Sequence, residues 1–207
     1  MNMNRTMFGL VIAAGLIASA LSAPVLASAV LDFFTIKSAI VSVADDRNVL
    51  RANLITHGLI PTDGSEGAFG YGVITDDGDA ILVTTTHAGV LDSEDQSFIL
   101  DPIWHNHFVR LGDVDACGTN PGVVDISWQS PGRVSIIDHR AYVSRVPTGE
   151  FSGSNSINGA PMSAELGEDP AAAVSFKLSP IFTAGGLQAV CVTDITPAQN
   201  LQVKQVD

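Results

Sequence analysis

The stretch Trp104-His105-Asn106-His107-Phe108 sets two imidazoles one residue apart, within a run from Ile103 to Leu111 whose branched and aromatic residues read as a β-strand. Side chains alternate across a strand, so Ile103, His105, His107, Val109 and Leu111 share one face, and Trp104, Asn106, Phe108 and Arg110 share the other. An earlier run places Ile81, Val83, Thr85 and His87 on one face in the same way. Each histidine thus stands in line with aliphatic residues, on a face expected to point inward. A buried imidazole needs partners for both ring nitrogens, and a metal can be one of them. Zinc accepts three imidazoles with a water in the fourth position, where that water becomes a nucleophile; copper accepts three or four. His87, His105 and His107 are therefore the expected metal ligands, for zinc or copper. Asp92, Glu94, Asp95 and Asp101 are nearby carboxylates able to orient the rings, or simply loop residues. The competing expectation is a non-enzymatic secreted or cell-surface interaction domain whose histidines are incidental.

The Trp104–Phe108 stretch resembles the His-x-His strands of cupins, α-carbonic anhydrases and copper-zinc superoxide dismutases, all of them β-rich proteins. His87 to Leu91 also resembles the His-x-Gly-Asp-Leu segment of those dismutases, with Val90 where their metal-binding aspartate stands. The two segments occur in reversed order, and the likeness is confined to His87 through Leu111. It implies strand-borne histidine ligands and places the chain in no family.

Other chemistry has less support. No Gly-x-Ser-x-Gly elbow occurs, so the serines of Gly149 to Ser156 read as a loop. Gly67, Gly70 and Gly72 precede a strand instead of opening a helix, which argues against a dinucleotide fingerprint. Asp76, Asp77, Asp79, Asp113 and Asp115 concentrate in turns, where aspartate serves its own backbone; calcium is the weaker reading. His139 falls at a hairpin tip, and His57 precedes Gly58 in a segment of unassigned structure.

These side chains must be positioned by strands. Beyond about Ala68 the chain reads as short extended runs divided by Gly, Pro, Asn and Ser clusters. One hairpin turns through Asp76-Asp77-Gly78-Asp79, where Asp-Gly is expected to supply a positive-φ turn, and a second at Asp138-His139. Further strands are expected over Val123–Trp128, Arg133–Ile137, Ala141–Val146, Ala173–Leu178 and Leu187–Ile195. About seven to nine strands with no amphipathic helix between them predict an all-β fold, an antiparallel β-sandwich or barrel. The segment from Phe33 to Ile60 fits a strand pair or a short helix equally well, and Gly167 to Val174 suggests one helical turn.

The N-terminus points to export. Arg5, an apolar run from Met7 to about Leu21 and the small residues Ala27-Ser28-Ala29 follow the order of a secretory signal peptide. The expected organisation is a cleaved signal peptide over residues 1–29 and one β-rich domain over 30–207. The apolar run falls short of the roughly 20 residues that cross a bilayer as a helix, so no stable membrane span is expected after cleavage. Secretion, a periplasm or a cell surface would be oxidising, and the two cysteines, Cys117 and Cys191, are expected to form a disulfide. A net charge of −12 repels phosphates, which argues against nucleic acid as a partner.

Overall fold

A computed structural model describes residues 32–44 and 48–206; the expected signal peptide lies outside them. Thirteen strands follow in order: β1 (Ile36–Ala44), β2 (Val49–Thr56), β3 (Phe69–Thr75), β4 (Ile81–Thr86), β5 (His105–Gly112), β6 (Gly122–Ile126), β7 (Arg133–Ile137), β8 (Arg140–Pro147), β9 (Glu150–Ser154), β10 (Pro161–Glu165), β11 (Pro170–Thr183), β12 (Gly186–Pro197) and β13 (Leu201–Val206). Among the described residues the only helical pieces are two 3-10 turns, Asp32–Phe34 and Asp115–Cys117. The fold is all-β, as expected. The strand number exceeds the seven to nine anticipated, because β1 and β2 come from the segment that also fitted a helix, β9 and β10 lie in a segment rich in Gly and Ser, and β13 is a short, exposed edge strand.

Strands β3, β4, β5, β6, β12 and β11 close into a barrel, and β7, β8, β2, β1 and β13 form a five-stranded sheet beside it. Neighbours pair antiparallel except β1 and β13, which run parallel. The Phe33–Ile60 segment is thus a strand pair with a leading 3-10 turn. Its alternating Ile36, Ala39, Val41, Val43, Leu50 and Leu54 are buried, a period of two that a helix could not satisfy. The expected helical turn before Ala173 is also absent: Pro170 already pairs with Thr75. Gly78 has no positive φ. A side chain there would strike the Leu166 carbonyl, so close backbone approach explains the glycine.

The barrel strands face two ways. Outward, Phe69, Tyr71, Val73, Leu82 and Phe108 pack with the sheet's Ile36, Val41 and Leu54 into the main core. Trp104 stacks on Tyr71 at 5.7 Å and donates its indole N–H to the Pro61 carbonyl, while the Tyr71 hydroxyl donates to Phe33. Inward, Val83, Val109, Val174, Phe176 and Val192 form a separate cluster. The inner face of β3 carries Gly70 and Gly72, across which Phe176 leans. Barrel closure is uneven, since β12 meets β6 through one residue pair, Cys191 with Gly122. The expected disulfide, Cys117 to Cys191, sits at that seam.

Candidate metal centre

Strands β4 and β5 are neighbours, with Val83 opposite His107 and Thr85 opposite His105. His87 continues the inward face of β4 one residue past its end. The three imidazoles therefore come together, with ring centroids 4.9 Å apart for His87 and His105 and 4.8 Å for His105 and His107. His105 and His107 are fully buried, and His87 is nearly so.

The loop between β4 and β5 folds back and lays Asp92 on all three rings. His87 Nε2 lies 3.2 Å from Asp92 Oδ2, and the Nε2 atoms of His105 and His107 lie 3.4 and 3.6 Å from Oδ1. Ligands bound at about 2.1 Å around a tetrahedral ion are roughly 3.4 Å apart, so these separations suit a shared cation. The four donor atoms all lie within 4.8 Å of one another. Burial alone would raise the Asp92 carboxyl; only imidazoles carrying a proton on Nε2, His105 and His107 foremost, would hold it below the usual carboxylate range.

The outer ring nitrogens are already committed. His105 Nδ1 lies 2.8 Å from the Ile103 carbonyl and His107 Nδ1 lies 2.7 Å from the Ser127 carbonyl. A carbonyl only accepts, so both Nδ1 atoms carry the proton and donate it. In the neutral rings both Nε2 lone pairs then point toward the Asp92 carboxylate. Of eight buried side-chain polar atoms lacking a hydrogen-bond partner among the described residues, four belong to this cluster: His87 Nδ1, Asp92 Oδ1, His105 Nε2 and His107 Nε2. Each such atom ordinarily costs about 1–3 kcal/mol; Asp92 Oδ1 and the two Nε2 atoms face one another and could share one cation, whereas His87 meets Asp92 through Nε2 and its unpartnered Nδ1 stands outside that set.

The Asp92 loop is held by a residue with no chemistry-bearing signature in the sequence. Gln96 is buried; its Oε1 accepts from the Asp92 N–H, and its Nε2 donates to the Val90 and Asp101 carbonyls. Two of the other nearby acids serve the backbone: Glu94 accepts from the Ser130 N–H and Asp101 from that of Ser97. Asp77 and Asp79 likewise accept backbone N–H groups of residues 165–169. His57 contacts Gln199 on the surface, and His139 sits at the β7–β8 turn, both outside the cluster.

Asp92 and His107 also border the barrel lumen, a cavity of about 530 Å³ lined mainly by aliphatic side chains. An ion held by the four residues would therefore have one side toward an apolar chamber. Among the described residues no helix is long and apolar enough to cross a membrane. Comparisons of the chain with protein-family models, curated proteins and solved structures return no match, so the cluster's own geometry must carry the functional argument.

Proposed function

We propose that this is an exported protein that binds one divalent transition-metal ion, zinc or copper, through His87, Asp92, His105 and His107. The observation that carries the reading is the facing of three acceptors: the Nε2 atoms of His105 and His107 and Asp92 Oδ1, all buried and unpartnered. Second protons on both rings would set two imidazolium ions against one carboxylate. A single divalent cation satisfies all three acceptors and leaves a net charge of +1. Three imidazoles with a hard carboxylate oxygen suit divalent ions better than copper(I), which favours sulfur ligands. An oxygen that joined zinc as a fifth ligand from the lumen side would be polarised by it.

Elemental analysis by inductively coupled plasma mass spectrometry tests this on protein purified without a tag. The wild type should carry or take up close to one equivalent of zinc or copper, and H105A/H107A should take up almost none. A wild type that stays empty after incubation with both ions overturns the reading.

A smaller effect is expected from Gln96→Leu, which leaves all four ligands in place and frees the loop bearing Asp92. By analogy with lost outer-sphere partners, metal affinity should fall about 10- to 100-fold. Competition against a chromogenic chelator measures it, and an unchanged affinity would remove Gln96 from the positioning of Asp92.

A further inference from the structure

The lumen has walls suited to a hydrocarbon and one polar end. Ile81, Val83, Val109, Val174, Phe176 and Val192 line it. Apolar walls hold water weakly, and an empty space forfeits the contacts that close packing supplies. Its volume, about 530 Å³, lies within the range of small-molecule sites. The lining is apolar even where it reaches solvent: Ile99, Ile157, Phe182 and Leu187 are exposed yet border the same chamber. Among the described residues Asp92 and His107 are its only ionisable lining groups, with no lysine or arginine to attract an anion.

We propose that the lumen binds a lipophilic carboxylic acid, its hydrocarbon body among the aliphatic side chains and its carboxylate on the metal as a fifth ligand. This rests on the metal reading above. The divalent ion, Asp92 and three neutral imidazoles sum to +1, which an anionic oxygen head neutralises. Without the metal, the same head group meets the negative charge of Asp92 in a site of low polarity. Acid binding is therefore metal-dependent, whereas uptake of a neutral apolar molecule is not.

The test uses N-phenyl-1-naphthylamine, a neutral dye that fluoresces in apolar surroundings, with decanoate as competitor. Zinc-treated wild type, chelator-treated wild type and the lumen-filling variants Val83→Phe and Val192→Phe are compared, with circular dichroism selecting the folded variants. The dye should bind wild type with and without zinc and lose at least about tenfold in affinity in a folded lumen variant. Decanoate should displace it at concentrations at least about tenfold lower when zinc is bound. If zinc binds and the dye does not, or if a folded lumen variant binds dye like wild type, the lumen is not the site and the proposal falls while the metal reading stands. Displacement that ignores bound zinc overturns the head-group contact. A protein that never takes up zinc fails the metal reading, and the acid proposal falls with it, even if dye binding shows the lumen to be an apolar chamber.

Discussion

Exchanging Cys117 and Cys191 for serine should lower the free energy of unfolding by about 4 kcal/mol. The two residues stand 74 apart in sequence, so their link removes a large share of the unfolded chain's freedom. The loss should also be local. Cys191 is the residue of β12 that pairs with β6, and it is buried with Cys117 and Ala189 in a small cluster of their own. Gly122, its partner, leaves no room for adjustment: a side chain there would meet Val114 at 2.5 Å and the Cys117 sulfur at 3.2 Å. Urea unfolding gives the first number, and hydrogen exchange resolved by peptide gives the second. Amides of β6 and β12 should exchange earlier in the serine variant than those of β3 and β4. A loss below about 1 kcal/mol, with unchanged exchange at the seam, would show that the barrel closes without its covalent link.

Phe108→Ala should cost about 3–5 kcal/mol, whereas Val109→Ala, one residue along the same strand, should cost no more than about 1.5 kcal/mol. Phe108 points outward into the packed core, fully buried, with its ring edge-on to Phe151 at 5.1 Å. Removing it leaves a hole that the barrel and its neighbours cannot collapse to fill. Val109 points into the lumen, where truncation enlarges an existing space. The transfer of two methyl groups is then the main loss. Denaturant titration of the two variants compares them directly, and equal losses would mean that the inner face is packed as tightly as the outer.

Much of this was legible from residue type and spacing. Alternation along Ile81–His87 and Ile103–Leu111 assigns the three histidines to inward faces, and the barrel has them there. The Asp138-His139 hairpin appears as expected, with Ile137 paired to Arg140, and so does the disulfide. Asp92 illustrates what alternation cannot reach. It sits in a loop with Glu94, Asp95 and Asp101, and nothing in residue type separates the one carboxylate that folds onto the rings from those that cap loop backbone. The ring-orienting acceptors were hidden for a different reason: they are the Ile103 and Ser127 carbonyls, which every residue possesses. β13 was missed because Leu201–Val206 is a short, almost wholly exposed segment at the end of the sequence, and its pairing with β1 marks it as a strand.

The two-faced barrel strands divide labour between alternate letters of the sequence. Tyr71, Val73, Leu82 and Phe108 answer to the neighbouring sheet, and a change in any of them is judged by whether the chain still folds. Val83, Val109, Val174 and Val192 answer to the lumen, where a change alters the shape of a chamber at modest cost in stability. Selection, or a designer, can thus rewrite the interior one strand position in two while the joint with the sheet stays fixed. His105 and His107 stand apart within that freedom, because their outer nitrogens are fastened to the backbone and their place in the barrel is not negotiable.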